Sequence, residues 1–582
     1  MKHTVLILMF SVIVALSCQA QDVSSDEVLI KSIARDGEAE VAVPYTNDLI
    51  FSRIAENVSI SKVRRDSIFI RLSPVTSGWF IKQKFNYRII ERRILSQDIT
   101  AKSISGVNAW DSYPSYDQYL AMLEKLKSDY PAICQIDTIG TSINGKLILA
   151  IKISDNVSAD EDEPEVFYSS TMHGDETAGF ILMLRLADYI LSNYGTNQNI
   201  RQLANELEIW INPLANPDGA YRSGSIITNP VRFNSTGYDL NRNFPDPSQP
   251  YGQDNIMQKE TVEMVKFLRK HRFVLSANFH SGREVVNYPW DIYQYRSFKF
   301  RGSLHADDNW FYEVSRNYAD MVHRYSPQGY MNGAEYGFDN GITRGVDWYP
   351  VRGGRQDYVT WELQGREITI ELDDLRNPPY VTPPVELPLI WEYNYRSLLG
   401  YLEGAMYGIK GNITDAATSM PVEARIFIPG HDHDSSHVYS DTIYGAYTRL
   451  IENGMYNLKF SAMGYRDTIV SDVAVTDYEK TMLNIAMKRE VRNIEFPLLF
   501  PNPVTVTLRA ILKREMTGKV NIKIYNTSGT LVVNYDDVVS GENNPLYINV
   551  SGLAGGMYTI VFRNLTGISD SGKFVIARPV MR

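Results

Sequence analysis

Strand-like and helix-like segments alternate between residues 116 and 372, and this alternation limits the fold more than any other feature of the sequence. Residues 116–130 carry apolar side chains at helical spacing, and short apolar runs then alternate with longer amphipathic patterns. Strands that alternate with helices form a parallel or mixed sheet with helices on both faces. The strand-like runs lie at 147–153, 166–168, 207–211, 274–279 and 368–372, and the other helical patterns at 178–194, 258–271 and 309–325.

The sequence on either side of this α/β region is typical of β structure. Residues 21–106 contain short alternating runs such as Trp79–Phe85, which predict a small β-rich pro-domain or accessory domain. Beyond them the helical patterns stop after residue 406, and runs separated by turn residues predict two all-β units, 407–491 and 492–582. A chain of 582 residues is too long for one core, so we expect a multidomain protein with an α/β domain at 107–406.

The first 20 residues have the three parts of a secretory signal peptide. Lys2 precedes an apolar core at residues 5–16, and the small residues Cys18 and Ala20 suit cleavage after Ala20. A lipidated Cys18 is the alternative. The rest of the sequence contains no apolar run long enough for a transmembrane helix.

Charge and cysteine content argue against two classes of protein. A formal net charge of -10 without a long basic run argues against a nucleic-acid-binding protein. After cleavage the chain would keep one cysteine, Cys134, so no disulfide framework stabilises it. We therefore expect its stability to come from packed cores or from metal.

Side chains with metal-binding chemistry follow the ends of two strand-like runs. His173 and Glu176 stand three residues apart, just before the helical pattern that begins at residue 178. A histidine and a glutamate are two of the three protein ligands of a hydrolytic zinc. Such a pair also arises by chance, and a solvated turn is the alternative interpretation. Another run ends in His280, a third candidate ligand, and functional groups gather at the carboxyl ends of strands in such sheets.

Charged and amide side chains form a second candidate group. Arg232 and Arg242 lie in a stretch rich in Asn, Asp and Pro, and Asn241 stands beside the second arginine. Guanidinium groups bind planar carboxylates through two hydrogen bonds, and an asparagine can add a donor. Glu371 lies within the run 368–372, where a carboxylate is costly unless it is paired or faces a functional cleft.

These motifs together resemble the zinc carboxypeptidase family over residues 110–406. His-Gly-Asp-Glu at 173–176, Asp-Leu-Asn-Arg-Asn-Phe-Pro-Asp at 239–246 and Asn-Tyr-Pro-Trp-Asp at 287–291 are similar to the subfamily of carboxypeptidases D, E and N. The resemblance implies one zinc ion in the catalytic domain. It also implies hydrolysis of the C-terminal residue of peptide or protein substrates.

The resemblance implies a role for each candidate of the metal group. It makes His173, Glu176 and His280 the zinc ligands. Asp239 stands where the family has the carboxylate that orients the first histidine. Glu371 falls at the position of the catalytic glutamate, which takes a proton from zinc-bound water and passes it to the leaving amine.

Four further residues match family positions that contact the substrate. Arg232 matches the arginine that polarises the scissile carbonyl and holds the oxyanion. Asn241 and Arg242 match the pair that binds the C-terminal carboxylate, and this pair makes such an enzyme an exopeptidase. Tyr349 matches the mobile tyrosine that closes over the substrate.

The resemblance extends to the pocket for the C-terminal side chain. Asp291 falls at its base, where basic-specific relatives carry an aspartate, and Gln356 agrees with that branch. A buried anion beside an amide selects lysine or arginine. The alternative places Asp291 in a surface turn. Arg344, Arg352 and Arg355 depart from the small or neutral residues of the family, and they would oppose a basic substrate if they pointed inward.

The two all-β units resemble other known domains. Residues 408–490 are similar to the transthyretin-like domain of this subfamily, for example through Gly-Met-Tyr-Asn-Leu at 454–458. Residues 493–582 resemble the C-terminal sorting domain of the type IX secretion system, through Phe-Pro-Asn-Pro at 500–503 and Leu-Ala-Gly-Gly-Met-Tyr at 553–558. This implies export through the periplasm and the type IX machinery to the outside or outer surface of a Gram-negative cell. An ordinary β-sandwich is the alternative.

Three histidines of the first all-β unit have the composition of a second metal cluster. His431, His433 and His437 alternate with acidic residues and serines. This interleaving favours a solvated loop over a ligand set.

The sequence therefore predicts an exported zinc metallocarboxypeptidase that removes C-terminal lysine or arginine. One alternative is a related hydrolase that acts on cell-wall peptides or acyl amides. The other is a non-enzymatic surface protein that uses a degenerate peptidase fold for binding. Degenerate relatives typically lack a metal ligand or the catalytic glutamate, and this chain has all of them.

Overall fold

The fold is given by a computed structural model. It describes residues 25–64, 66–93, 95, 99–103, 109–246, 257–292, 304–334, 337–375, 377–490, 497–539, 541 and 544–577. The predicted signal peptide at 1–20 lies outside the described residues. The chain divides into two compact units, residues 1–92 and 93–582.

The first unit combines helices with a four-stranded antiparallel sheet. Its elements are α1 Ser25–Asp36, β1 Ala39–Pro44, α2 Asp48–Ala55, β2 Ser59–Val63, β3 Ser67–Leu72, α3 Ser77–Lys82 and β4 Arg88–Ile90. The strand order is β2-β3-β1-β4, with β1 antiparallel to both of its neighbours. Two β-α-β units are thus interleaved in one sheet, as in split β-α-β domains.

The helices of this unit correct the prediction of β structure there. The run Trp79–Phe85 does not form the predicted strand, because its first residues belong to α3. The helix places the buried Phe80 near Phe85 and Tyr87, with ring centroids 5.6 Å and 5.2 Å apart. Local aromatic packing therefore outweighs the β propensity of this run.

The second unit is built on an eight-stranded mixed sheet. Its strands are β5 Cys134–Thr141, β6 Leu147–Ile153, β7 Glu165–Ser170, β8 Glu208–Asn212, β9 Phe273–His280, β10 Glu284–Tyr288, β11 Ile342–Arg344 and β12 Arg366–Leu372. The strand order is β11-β10-β12-β9-β7-β8-β6-β5. The four central strands β12, β9, β7 and β8 are parallel, so their carboxyl ends meet at one edge of the sheet.

Helices cover both faces of this sheet. They are α4 Tyr116–Asp129, α5 Ala178–Asn193, α6 Gln198–Glu206, α7 Pro217–Ala220, α8 Lys259–Lys270, α9 Asp308–Tyr325, α10 Gly345–Trp348, α11 Arg355–Glu362 and α12 Leu387–Glu403. Side chains alternate between the faces, so Tyr168 of β7 lies in one core with Leu184 of α5, whereas Phe167 packs against Phe267 of α8. The predicted α/β fold is confirmed, and its four predicted helices are correct to within one residue at each end.

The second unit begins before the boundary predicted at residues 106–107. Ile99 and Ala101 are buried in the same core as α4 and α5. The main-chain N–H of Arg93 donates to the oxygen of Pro378 at 2.7 Å. Arg93, Ile99 and Ala101 therefore pack with the α/β domain. Among the described residues no helix has both the length and the apolar character needed to cross a membrane.

The described residues after 406 are all-β, as predicted, apart from a short 3₁₀ turn at Arg514–Met516. Strands β13 to β20 form two four-stranded sheets around one core, and β21 to β27 form a three-stranded and a four-stranded sheet around another. The first set comprises β13 Gly408–Asp415, β14 Arg425–Phe427, β15 Val438–Tyr439, β16 Ala446–Arg449, β17 Gly454–Ser461, β18 Thr468–Val475, β19 Lys480–Met482 and β20 Ile485–Met487. The second comprises β21 Leu498–Phe500, β22 Thr507–Ile511, β23 Gly518–Asn526, β24 Leu531–Val539, β25 Leu546–Asn549, β26 Gly556–Asn564 and β27 Ser569–Ile576.

Buried ion pairs join the β13–β20 sandwich to the α/β domain. Arg449, the last residue of β16, donates to the two oxygens of Asp307 at 2.8 and 2.9 Å and to Asp432 at 2.7 Å. Arg366, the first residue of β12, donates to Asp307 at 2.7 Å and to the main-chain oxygen of Ser436 at 2.7 Å. All four charged side chains are at most 2% exposed.

This network corrects the interpretation of the histidine loop as solvated. Asp432 is buried beneath the loop, and His431 is 22% exposed, whereas the His433 side chain is 48% exposed. Asp307, His431 and Asp432 bring possible ligand atoms within 4.8 Å of one another. Arg449 already supplies the positive charge that a cation would bring to both carboxylates.

We expect Arg449→Ala to lower the free energy of unfolding by about 3–5 kcal/mol, because the buried carboxylates of Asp307 and Asp432 lose a cationic partner. The matched control is Lys459→Ala in the same sandwich. The Lys459–Asp467 pair, with a distance of 2.8 Å and side chains 37% and 50% exposed, is expected to contribute at most about 1 kcal/mol. Calorimetric melting curves of both variants test this expectation. Equal decreases in melting temperature would contradict it.

Candidate metal centre

Three candidate ligands meet at the carboxyl edge of the central sheet. His173 and Glu176 lie in the turn between β7 and α5, and His280 is the last residue of β9. Because β7 and β9 are parallel neighbours, the two histidines come together. The turn also needs Gly174, since a Cβ at this position would lie 2.3 Å from the main-chain carbon of Gly219.

The ligand atoms of these residues converge in a buried position. His173 Nδ1 lies 2.9 Å from Glu176 Oε1, and His280 Nδ1 lies 2.7 Å from Glu176 Oε2. The two Nδ1 atoms are 3.0 Å apart. Each side chain is at most 3% exposed. Two imidazole nitrogens and a carboxylate within 4.8 Å of one another match the donor set of a catalytic zinc site.

The outer nitrogens of both imidazoles have polar partners. His173 Nε2 lies 3.0 Å from Asp239 Oδ1, as the sequence predicts. The side-chain amide of Asn278 lies 2.8 Å from His280 Nε2, so with its oxygen turned inward it can accept the Nε2–H. Both contacts leave Nδ1 for a metal. Sequence reasoning missed Asn278, although it stands two residues before His280 and therefore on the same face of β9.

The charges of the group also suit a divalent cation. Burial alone would raise the pKa of Glu176, but the neighbouring His173 and His280 hold it well below its usual range. Burial lowers the pKa of His280 to about 4, against the charge of Glu176, so this imidazole is neutral near pH 7. Burial and Arg232 lower the pKa of His173, but the carboxylates of Glu176 and Asp239 outweigh them and raise it above its usual value.

We expect Asp239→Asn to weaken zinc binding about 10- to 100-fold, because the amide orients His173 less firmly than the carboxylate does. Competition with a chromophoric chelator measures the affinity. Asp320→Asn, which removes a carboxylate that binds Arg316 on α9, is the control and should bind zinc as tightly as the native chain. An Asp239→Asn protein with native affinity would contradict the assigned contact.

Glu371 lies beside the ligand group on the next strand. It is the Cα partner of His280 in the β9–β12 pairing. Its Oε2 atom is buried and has no hydrogen-bond partner among the described residues. Burial, and then the charge of Glu176, raise the pKa of Glu371 well above its usual range. A cation between two neighbouring buried carboxylates removes the electrostatic repulsion between them.

Arg232 holds the ligand group from the opposite side. Its Nη1 donates to Glu176 Oε1 at 2.9 Å, and its Nε donates to Asp239 Oδ2 at 3.0 Å. The residue is 4% exposed. A guanidinium group is thus fixed directly beside the candidate metal ligands, where it can stabilise negative charge that develops on a substrate oxygen.

Of the next three predicted residues, Asn241 and Arg242 lie in a 3₁₀ turn directly after Asp239, and Tyr349 follows α10. Asn241 accepts the main-chain N–H of Arg355 through Oδ1 at 3.0 Å, so its NH₂ is the end left for a ligand. The Arg242 charge lowers the pKa of the buried Asp239 and opposes the rise that burial causes at Tyr349. The pKa of Tyr349 also responds to Glu371, so the phenol lies within the electrostatic field of the centre.

Asp291 is buried, which excludes the surface turn that the sequence left open. It is 3% exposed, and Gln356 Nε2 donates to its Oδ1 at 2.9 Å. A Cβ at Gly345 would lie 1.8 Å from that same oxygen, so any larger residue would displace the carboxylate. Burial raises the pKa of Asp291 to about 7, while a hydrogen bond from Asn287 opposes the rise.

Two of the three arginines that could oppose a basic substrate have carboxylate partners of their own. Arg344 donates to both oxygens of Asp308 at 2.7 and 2.6 Å. Arg355 is buried, donates to Glu367 at 2.9 Å and lies over the ring of Phe167. Arg352 is partly exposed.

Comparison with known proteins agrees with this geometry. Residues 119–397 match the family described as zinc carboxypeptidase, and residues 498–577 match the family described as secretion system C-terminal sorting domain. Carboxypeptidase D of Anas platyrhynchos is 34% identical over 380 residues, which are 64% of this chain and 26% of that protein. The chain thus spans about a quarter of the length of the carboxypeptidase D relatives it matches.

A shorter relative is matched over most of its length. The catalytic chain of human (Homo sapiens) carboxypeptidase N is 32% identical over 411 residues, which are 65% of this chain and 86% of that protein. The solved structure of carboxypeptidase A from Helicoverpa armigera has 18% identity and a TM-score of 0.48, over 64% of this chain and 98% of that one.

Proposed function

This chain belongs to the zinc carboxypeptidase family, and we propose that it is a metallocarboxypeptidase that removes C-terminal lysine or arginine from peptides and proteins. One observation carries the proposal. The ligand atoms of His173, Glu176 and His280 converge, and the unpartnered carboxylate oxygen of Glu371 lies on the strand beside them. A three-ligand metal group with a buried base next to it is what metal-assisted hydrolysis requires.

The proposed reaction assigns one task to each residue of the centre. His173, Glu176 and His280 hold the zinc ion, which when bound supplies a Lewis acid and lowers the pKa of a water molecule. Glu371 accepts the proton of the attacking water and passes it to the leaving amine. Arg232 stabilises the negative charge that develops on the carbonyl oxygen.

Recognition of a free C-terminus falls to the loops beside the centre. The Asn241 NH₂ group and the Arg242 guanidinium are donors suited to a terminal carboxylate. Tyr349, a partly buried side chain within the field of both arginines, closes over the substrate. These contacts favour removal of one terminal residue over internal cleavage.

The basic preference rests on Asp291 and Gln356. A buried carboxylate held by an amide suits a cationic side chain, and an apolar side chain would leave these polar groups unpaired. Arg344 and Arg355 support the same preference, because both are already neutralised by carboxylates outside this pair.

The proposal is tested with the purified chain and peptides that differ only at the C-terminus. We expect one zinc ion per chain and release of C-terminal arginine and lysine faster than leucine, with no release from an amidated peptide. Zinc binding without release from any peptide would favour the non-enzymatic alternative. Preferential hydrolysis of cell-wall peptides or acyl amides would favour the other hydrolase.

We also propose that the chain is exported by the type IX route, to the outside or the outer surface of a Gram-negative cell. The match of residues 498–577 to a sorting domain supports this proposal. Removal of residues 492–582 should retain the protein in the periplasm. Normal export of the shortened chain would contradict the proposal.

We further propose that residues 408–490 are a transthyretin-like domain, and that residues 21–106 are a pro-domain or an accessory domain.

A further inference from the structure

A second buried carboxylate, that of Asp357, lies against the proposed side-chain pocket. Asp357 follows Gln356 in the first turn of α11 and is 2% exposed. Its Oδ1 accepts the main-chain N–H of Asp291 at 3.0 Å. Its Oδ2 is buried and has no hydrogen-bond partner among the described residues. A buried carboxylate oxygen without a donor is costly, so its retention calls for a ligand or a functional reason.

A further acceptor near Asp291 is in the same situation. Gln356 directs its Nε2 to Asp291 Oδ1 at 2.9 Å and to Asn287 Oδ1 at 3.4 Å. Its own Oε1 is buried and, within the described chain, has no partner. Two buried acceptor atoms on residues that contact Asp291, Gln356 Oε1 and Asp357 Oδ2, therefore lack donors within the described chain.

The charges around Asp291 favour a cationic ligand. Arg242 lowers the pKa of Asp291, whereas the carboxylate of Glu367 raises it. The pKa of Asp357 is raised well above its usual range by burial, then by Asp291, and by Asp246. Arg355 already pairs with Glu367, so the carboxyl groups of Asp291 and Asp357 remain beside the single guanidinium of Arg242. A ligand with positive charge is therefore favoured electrostatically.

The number and spread of the acceptors distinguish between the two basic side chains. A lysine ammonium has three donors on one atom, and it can approach one acceptor cluster closely. An arginine guanidinium has five N–H donors spread over a plane, which can reach separated acceptors at once. The unpartnered oxygens of Gln356 and Asp357, on neighbouring residues of one helix turn, are such separated acceptors.

From this arrangement we infer that Asp357 is a specificity-determining residue of the side-chain pocket and makes it prefer C-terminal arginine to C-terminal lysine. It fixes the main chain of Asp291 through one oxygen and supplies the other as an additional acceptor for a guanidinium. This inference rests on the proposed function of the same site. A hydrogen bond from the charged guanidinium to this oxygen is expected to favour arginine about tenfold or more in kcat/KM.

The test compares three peptides that end in arginine, lysine or norleucine, with the zinc-loaded full chain. We expect the native protein to favour arginine over lysine about tenfold or more. Asp357→Asn, which keeps the shape of the side chain, should bring that ratio close to one. The change should come mainly from KM for the arginine peptide, with little change in kcat or in the norleucine reaction.

Four outcomes would count against the inference. The first is equal cleavage of the arginine and lysine peptides by the native protein. The second is an Asp357→Asn variant that keeps the native ratio of kcat/KM for the two peptides. Equal losses on all three peptides would show that Asp357 only supports the fold. Inhibition of the native protein by free arginine, lysine and norleucine gives a second measurement that needs no variant, and equal inhibition by arginine and lysine would also count against the inference.

Failure of the proposed function gives a different result. Absence of release from all three peptides by zinc-loaded protein would contradict the carboxypeptidase itself. Faster release of norleucine than of either basic residue would contradict the basic preference. The inference about Asp357 concerns only the ratio of kcat/KM for the arginine and lysine peptides, both of which are cleaved.

Discussion

Glu371→Gln is expected to lower kcat by roughly 10²- to 10⁴-fold while zinc stays bound. The amide keeps the size of the side chain but cannot accept the proton of the attacking water. Glu371 lies on β12 as the Cα partner of His280 and is not one of the converging ligands, so the metal group should survive the substitution. Steady-state kinetics on a peptide that ends in arginine, together with zinc content, measure both effects.

The matched control for this variant is Glu367→Gln, four residues earlier on the same strand. Glu367 is also buried, but it accepts hydrogen bonds from Ser276 and Arg355. Its substitution should therefore reduce stability more than turnover of the folded protein. Retained turnover in Glu371→Gln with bound zinc would contradict the assigned base. Loss of zinc from this variant would show instead that Glu371 helps to hold the metal.

Asp291→Ala should lower kcat/KM for a C-terminal arginine peptide by roughly 30-fold or more and leave a C-terminal leucine peptide nearly unaffected. Removal of one partner of a buried charge pair costs about 2–5 kcal/mol, which corresponds to this factor. Asp291 is buried and held by Gln356, so the loss would fall on the cationic side chain of the substrate. Asp291→Asn, with nearly the same volume, separates loss of charge from creation of a cavity.

The same carboxylate predicts how the preference depends on pH. Its raised pKa, about 7, means that Asp291 becomes neutral as the pH falls through that value in the substrate-free pocket. KM for the arginine peptide should therefore rise below pH 7, while KM for the leucine peptide should stay level. Equal losses on both peptides after Asp291→Ala, or parallel pH profiles, would remove the case for this residue.

Sequence reasoning located the metal group because its geometry follows from local rules. His173 and His280 end neighbouring parallel strands, and the carboxyl ends of such strands share an edge. Glu371 was marked by the cost of a carboxylate within a strand. The ends of the strand-like runs and the chemistry of the side chains marked these residues as candidates, and the resemblance to the zinc carboxypeptidase family implied their roles.

Contacts between distant parts of the chain could not be predicted in the same way. The pairing of Arg344 with Asp308 depends on where α9 begins relative to β11, and no pattern in the sequence fixes that distance. Asp357 was missed for a similar reason, since its contact with Asp291 spans 66 residues. The resemblance places Asp291 and Gln356 at the pocket but says nothing of which oxygen meets which donor.

The errors at Trp79–Phe85 and in the histidine loop have physical causes as well. Trp79–Phe85 has the composition of a strand, and only the packing of Phe80 against its neighbours makes its first part helical. The histidine loop has a polar composition, and its burial depends on arginines that lie elsewhere in the sequence. In both places the local preference of the residues was outweighed by their partners.

The ion pairs at Arg449 and Arg366 also bear on how this chain can change during evolution. If the sandwich were exchanged by recombination with an unrelated domain, Asp307 would lose Arg449 and Arg366 would lose the main-chain oxygen of Ser436, although the two would still pair with each other. A viable exchange would need matched substitutions on both sides of the junction. The C-terminal sheets have a core of their own between Val504 and Ile576, so this tail can be acquired or lost as a separate module.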